Sequence, residues 1–127
     1  RQRQMCIRDR FNDYKMHLVG EEILGIPGIG YVEGMACGSA YIGLDSPMYR
    51  ELGLIPGIHY ITYDGTMEGL RKTVEFWQKA EKQEELECIA KTGCEYVRKH
   101  FCGPIIAEKL IKELCLQKDK WLREAGK

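Results

Sequence analysis

Three short β-rich runs alternate with helical segments along this chain of 127 residues, and this alternation constrains its fold more than any other feature. Strands that take turns with helices are typical of a parallel sheet covered by helices, with right-handed crossovers. The predicted strands are residues 15–19, 40–42 and 58–63. The sequence therefore predicts an α/β fold. Because three short strands form a small sheet, we expect part of a larger one that begins upstream.

Helical periodicity predicts five helices, of which the first spans residues 31–37 and the fourth 84–101. Ser46 and Pro47 begin the second helix, because a capping hydroxyl and a proline at the first helical position favour a helix start. Thr66 is expected to cap the third. Apolar residues at helical spacing should form buried faces in the third and fifth helices: Met67, Leu70, Val74 and Trp77, and then Ile106, Leu110, Ile111, Leu114, Trp121 and Leu122.

The overall charge gives little attraction for nucleic acid or an anionic membrane, because 19 basic and 19 acidic side chains cancel. No apolar run approaches the roughly 20 residues of a membrane-spanning helix, and residues 1–10 lack the apolar stretch of a signal peptide. The six cysteines show no Cys-x-x-Cys spacing, which favours reduced thiols over disulfides or a zinc site. We therefore expect a cytoplasmic protein with no metal, no nucleic-acid partner and no membrane span.

The first 12 residues are expected to lie outside the fold. They show neither the alternation of a strand nor the period of a helix, and RQRQMCIRDR resembles translated library-adapter sequence. A non-native extension and a disordered native tail would both have this character. The expected folded unit is residues 13–127. Because the chain begins with arginine, we also expect its true start to be missing.

The segment that carries chemistry is GIPGIGYVEGMACG, residues 25–38. Glycines before a helix let the backbone approach a ligand closely, and free N–H groups at a helix start suit phosphate. Gly28 and Gly30 match a dinucleotide-binding fingerprint, but Glu33 occupies the position of its third glycine. A carboxylate there suits the vicinal hydroxyls of a sugar rather than phosphate. The alternative is a glycine loop that only turns the chain, with Glu33 favouring the helix dipole.

The segment YVEGMACGSAYIG resembles the donor-site signature of GT-B glycosyltransferases, in which a glycine-bearing loop precedes a helix reading Glu-x-Met-Ala-Cys-Gly and then a strand. Three later segments are similar to the elements that follow in that family, so the likeness spans residues 20–101: SPMYRELGLIPGIHYITYDG, TMEGLRKTVEFWQ and LECIAKTGCEYVRKHF. The resemblance implies the C-terminal part of a Rossmann-like domain of the family 1 and family 4 type. Such a part has a partial parallel sheet with flanking helices and a helical C-terminus.

The resemblance implies that Glu33 accepts hydrogen bonds from the ribose hydroxyls of a nucleotide diphosphate sugar. The backbone of Gly28, Ile29 and Gly30 would lie against the diphosphate or the transferred sugar. No further cofactor is implied. Gly25 replaces the family's first glutamate, eight positions before the second, while Glu21 and Glu22 are near but out of register. The catalytic residues, the cation for the diphosphate and the acceptor site are expected in a missing N-terminal domain.

The implied activity is transfer of a sugar from the nucleotide to an unknown acceptor, by an enzyme of which this chain alone is inactive. Two alternatives stay open at this point: a hydrolysing nucleotide-sugar epimerase on the same scaffold, and a non-catalytic nucleotide-binding or interaction module. Two other polar residues are candidates. His59 in a predicted strand is interpreted as a hydrogen-bonded structural histidine. Asp64 is either a turn aspartate or a residue that faces the ligand crevice.

Overall fold

A computed structural model describes residues 9–21 and 25–126 of the chain. Its sheet has three parallel strands, β1 (Met16–Leu18), β2 (Ala40–Leu44) and β3 (Ile61–Tyr63), in the order β1-β2-β3. Each strand therefore pairs with the next strand along the chain. The register aligns Met16 with Ala40, and Ile42 with Ile61. The predicted α/β class with a parallel sheet is confirmed.

Five helices follow β1: α1 (Gly30–Ala36), α2 (Pro47–Glu51), α3 (Met67–Trp77), α4 (Gln83–His100) and α5 (Gly103–Ala125). A single 3-10 turn, Ala80–Lys82, precedes α4. The two predicted caps are present. The Ser46 hydroxyl accepts a hydrogen bond from the Met48 N–H at 3.3 Å, and the Thr66 hydroxyl accepts one from the Gly69 N–H at 2.9 Å. These bonds satisfy N–H groups that have no partner inside the helix.

The core is divided between the two faces of the sheet, because successive residues of a strand point to opposite sides. Tyr41 of β2 lies on one face, and its neighbours Ala40 and Ile42 lie on the other. The first cluster joins α1, α2, α4 and the sheet through Tyr31, Met35, Tyr41, Tyr49, Leu54, Tyr60 and Val97. The second joins α4 and the sheet through Ala40, Ile42, Ile61, Leu86 and Ile89.

Four buried tyrosines, Tyr31, Tyr41, Tyr49 and Tyr60, make up much of the first cluster, and the hydroxyls of the last three form hydrogen bonds. The Tyr41 and Tyr49 hydroxyls are 2.6 Å apart, and the Tyr60 hydroxyl donates to the Leu44 carbonyl oxygen at 3.1 Å. The rings of Tyr31 and Tyr49 meet edge to face at 5.6 Å. Burial raises the pKa of Tyr49 to about 12 and that of Tyr60 to about 12. The cluster is therefore neutral, and it anchors the carboxyl end of β2.

The third strand is shorter than the predicted run 58–63, and its first residues form a turn. The N–H groups of Ile58 and His59 both bind the Ile55 carbonyl oxygen, at 3.2 and 2.9 Å. The His59 ring accepts a hydrogen bond from the Ile55 N–H at 2.9 Å through Nδ1. The strand placement of His59 is therefore wrong, while its interpretation as a hydrogen-bonded structural histidine is confirmed. The β-branched residues of this run favour a strand. The N–H groups of Ile58 and His59 are instead bonded within the turn, so they do not pair with a neighbouring strand.

The last helix forms as predicted, but the burial predicted for its apolar face is wrong. None of its residues is buried, and the six side chains expected to point inward are 47–66% exposed. Met67, at the start of α3, is also exposed, whereas Leu70, Val74 and Trp77 are partly buried against the second cluster. Periodicity identifies an apolar face, but it does not show what covers that face.

Residues 1–12 were expected to lie outside the fold, but Phe11 of this segment packs against the sheet. Residues 9–13 are helical, and the ring of Phe11 meets that of His17 edge to face at 5.1 Å. The rest of the expected tail, residues 1–8, lies outside the described residues. Over residues 9–21 and 25–126, no helix combines the length and the apolar composition that a membrane crossing requires.

Candidate functional site

The carboxyl ends of the three strands meet at one edge of the sheet, which is where open α/β sheets bind ligands. The loop after β1 starts at this edge, and it ends where α1 begins at Gly30. The predicted glycine segment therefore connects β1 to α1 and then to the parallel strand β2. Residues 22–24 of the loop, including Glu22, lie outside the described part.

The glycines of this loop pack closely against the end of β1. A Cβ atom on Gly28 would lie 2.9 Å from the Gly20 carbonyl oxygen and 3.0 Å from the Val19 side chain. A Cβ on Gly30 would lie 3.1 Å from the same valine. Gly28 is buried, whereas the side chain of Ile29 is 78% exposed. Packing by itself therefore requires glycine at position 28, whereas Ile29 next to it is exposed.

Glu33 lies in the first turn of α1, and its side chain is exposed. It borders an open cavity of about 470 Å³, together with Asn12, Val32, Ala36, Cys37 and Arg98. Gly28, Ile29 and Gly30 do not line this cavity. Within residues 9–21 and 25–126, the Glu33 carboxylate has no hydrogen-bond or ion-pair partner. The loop and Glu33 thus both lie near the start of α1. The Glu33 side chain, however, borders a cavity at the side of the helix, away from Gly28, Ile29 and Gly30.

Arg98 of α4 is a cation at this cavity that the sequence analysis did not identify. Its Nε and Nη2 atoms donate to the Ala36 carbonyl oxygen at 3.1 and 2.8 Å. The Cys94 thiol reaches the same oxygen at 3.5 Å. These bonds satisfy a carbonyl at the end of α1, and they hold the guanidinium at the cavity that Glu33 also lines. Because positions 33 and 98 are far apart in the sequence, no local spacing could have indicated their proximity.

Glu21 is a second carboxylate at the carboxyl edge of the sheet. Its Oε1 atom accepts hydrogen bonds from the Leu44 N–H and the Tyr49 hydroxyl, each at 3.4 Å. These long bonds connect the end of β1 to the end of β2 and to α2. Its place two residues after the predicted strand 15–19 was the available sequence signal. By its motif, Glu21 was only a residue out of register with the family's first glutamate.

Asp64, the other candidate at this edge, is a turn residue. Its Oδ1 atom accepts hydrogen bonds from the Thr66 N–H at 2.9 Å and from the Thr66 hydroxyl at 2.7 Å. These two bonds lower the pKa of the Asp64 carboxyl group. Since the same hydroxyl caps α3, Asp64 supports the helix start, and the turn interpretation is confirmed.

Glu33 and Arg98 bring one carboxylate and one guanidinium to the cavity beside α1. The exposed carboxylate of Glu33 can accept hydrogen bonds, and Arg98 is the cation beside it. In the part of the chain that the structure describes, no three histidine, cysteine, aspartate or glutamate side chains converge as metal ligands would. Comparison of the chain with protein families, curated proteins and solved structures finds no match. The GT-B likeness of residues 20–101 stays a prediction.

Proposed function

We propose that this chain is the donor-binding region of a glycosyltransferase, and that it holds a nucleotide diphosphate sugar at the carboxyl edge of its sheet. The observation that carries the proposal is the position of the segment 25–38. This segment contains the end of the loop after β1 and the whole of α1, and the parallel strand β2 follows it. The residues that resemble a donor-site signature thus lie next to the edge where α/β sheets bind ligands.

In this proposal Glu33 recognises the ribose. A carboxylate can accept two hydrogen bonds from the vicinal hydroxyls of ribose, and bonds to a charged acceptor are roughly twice as strong as neutral ones. Two observations support the role. Glu33 is exposed, and its carboxylate makes no hydrogen bond or ion pair elsewhere in the described residues. It is therefore available to a ligand without breaking a bond to any described residue.

The backbone of the loop at Ile29 and Gly30 would lie against the diphosphate or the sugar. Negative charge develops on the diphosphate as the sugar leaves, so donors aimed at it stabilise the transition state more than the ground state. Gly28 instead packs against Val19 and Gly20 at the end of β1. No residue of this chain is assigned to the chemical step.

The strand order supports the finer proposal of a Rossmann-like sheet. Doubly wound sheets have the order 3-2-1-4-5-6, so their second half consists of three parallel strands in chain order, as β1-β2-β3 are. We infer that β1 corresponds to the fourth strand, and that its free edge receives a further strand. An apolar cavity of about 480 Å³ opens beside β1, lined in part by Met16, Leu18, Ile42, Leu70, Val74 and Trp77. An additional element would cover these side chains.

Calorimetric titration of the chain with uridine, guanosine and adenosine diphosphate sugars tests the proposal. We expect at least one donor to bind, and Glu33→Gln to weaken it by roughly tenfold to a hundredfold, because the charge of the acceptor is lost. Glu84→Gln is the matched control, since Glu84 is also an exposed acid in the first turn of a helix. It should leave binding unchanged. If none of the three donors binds, the proposal is wrong.

A donor analogue that lacks both ribose hydroxyls tests the role of Glu33 itself. Wild-type and Glu33→Gln proteins should bind this analogue equally, because the bonds that distinguish them cannot form. If the substitution weakens both donors by the same factor and lowers the melting temperature, Glu33 only favours the helix dipole.

A further inference from the structure

The apolar face of α5 is a long exposed surface that the proposed function does not use. The helix has 23 residues and a length of roughly 34 Å. Its large apolar side chains lie in the open along this whole length, from Ile106 at 47% exposure to Trp121 at 66%. No described residue covers them. Continuous apolar surface of this kind is typical of an interaction site.

The spacing on α5 is that of a two-helix seam. Core positions of such a seam alternate in steps of three and four residues, and here they are Ala107, Leu110, Leu114, Gln117, Trp121 and Glu124. Ile106, Ile111 and Leu122 widen the apolar stripe on its two sides. The opposite face carries Lys112, Asp119 and Arg123, with Leu116 as an isolated apolar residue.

We propose that α5 pairs antiparallel with α5 of a second copy of this chain. In the register that overlaps the helices from Ile106 to Ala125, Leu110 packs against Trp121 of the second copy, and Leu114 packs against Gln117 of the second copy. Each bulky Trp121 thus meets a smaller side chain. The antiparallel arrangement also places opposite ends of the two helix dipoles side by side.

Charge complementarity is compatible with this arrangement. In the same register Glu113 flanks Lys120 of the second copy, and two-fold symmetry makes this pair occur twice. Neither Glu113 nor Lys120 makes an ion pair with a described residue, although the Glu113 carboxylate accepts a hydrogen bond from the Gln117 side chain at 2.9 Å. A parallel pair would instead bring the two Trp121 rings together and set the two Glu124 carboxylates against each other, which is unfavourable.

Sedimentation equilibrium over a range of protein concentrations tests the pairing. We expect the average mass to rise from that of one chain to that of two. Leu110→Glu should raise the dissociation constant by about tenfold or more, because it puts a charge at a core position of the seam, against Trp121 of the second copy. Leu116→Glu is the matched control: Leu110 is 58% exposed and Leu116 61%, but Leu116 lies on the opposite face. It should dimerise like the wild type, and circular dichroism should show the same helix content in both variants.

Charge reversal tests the orientation. Glu113→Lys should weaken the dimer, and adding Lys120→Glu should restore it, because the pair is re-formed with opposite signs. Adding Lys118→Glu should not restore it. In a parallel pair Glu113 would face Lys118, so rescue by Lys118→Glu alone would overturn the antiparallel seam.

Two further outcomes overturn the proposal. A chain that stays monomeric at every concentration has no such seam, and equal effects of Leu110→Glu and Leu116→Glu would show that the stripe does not define the contact. If the monomer instead binds vesicles containing anionic phospholipid, and Leu110→Glu abolishes this binding, the face belongs to a lipid surface.

Discussion

Gly34 of α1 lies directly against the imidazole ring of His17 in β1, and the ring fills the space that a side chain at position 34 would need. A Cβ atom on Gly34 would overlap the Nε2, Cδ2 and Cε1 atoms of that ring. The helix can approach the strand at this point only because residue 34 has no side chain.

Gly34→Ala should destabilise the protein by about 1–3 kcal/mol, the usual cost of overpacking a core. The loss should appear even though alanine favours a helix by about 1 kcal/mol over glycine. Urea unfolding measures it. Gly20→Ala is the control, because no atom lies within 4 Å of the position of its Cβ. A Gly34→Ala protein as stable as the wild type would show that the ring moves away without cost.

Acid should weaken the fold through His17. Burial lowers the pKa of this buried histidine from 6.5 to about 4. The unfolded chain therefore binds the proton more tightly than the folded chain, and stability falls as the pH drops from about 6.5 to about 4. The full loss is about 3 kcal/mol. The free energy of unfolding at pH 7 and pH 4.5 measures it.

His17→Phe provides the comparison for the acid effect, because it keeps a ring but cannot take up a proton. The difference in stability between wild type and variant should shift in favour of the variant as the pH is lowered. The carboxyl groups titrate in both proteins, so their contribution cancels. Parallel pH profiles for the two proteins would contradict the assignment to His17.

Tyr41→Phe should cost about 1–3 kcal/mol of stability, because it leaves the buried Tyr49 hydroxyl without its bond of 2.6 Å. Tyr49→Phe should have a similar effect. The double variant should lose less than the sum of the two, because both changes remove one shared bond. Tyr14→Phe is the control, since Tyr14 is exposed. Strict additivity of the two losses would show that the hydroxyls act independently.

Gly28→Ala should weaken donor binding by about tenfold and lower stability by about 1–2 kcal/mol. The added methyl group would meet backbone at Gly20, so the loop must move rather than a side chain. Calorimetry and urea unfolding measure the two effects. Gly103→Ala, at the start of α5 and with nothing near its Cβ position, should change neither. Unchanged donor affinity in Gly28→Ala would show that the loop does not approach the donor.

Features fixed by local chemistry were predictable from the sequence. The hydroxyls of Ser46 and Thr66 cap their helices because each lies two or three residues before a free N–H group. Gly38, which follows the first helix, has a left-handed φ of +88°, as is common for a glycine just after a helix end. The alternation of strands and helices along the sequence predicted the parallel sheet, because two parallel strands require a crossover connection between them.

Features that depend on contacts between distant residues were not predictable. The residues of the run 58–63 favour a strand, but bonds to Ile55 turn its first part away from the sheet. Glu33 was identified from its local motif, whereas Arg98 comes to its cavity only through the packing of α4 on α1. The sequence also gave no indication that Phe11 contacts His17, because a single aromatic residue has no period.

The order of the strands has a consequence for how the chain reaches its fold. Every strand pairs with its immediate successor, so pairing requires the closure of only one crossover at a time, which keeps contact order low within the sheet. On the ribosome, β1 and β2 can pair once Leu44 has emerged, and β3 can join after Tyr63. Leu86 and Ile89 of α4 arrive later and seal the second face of the sheet. Assembly of the sheet can thus proceed in the direction of synthesis, with α4 completing it.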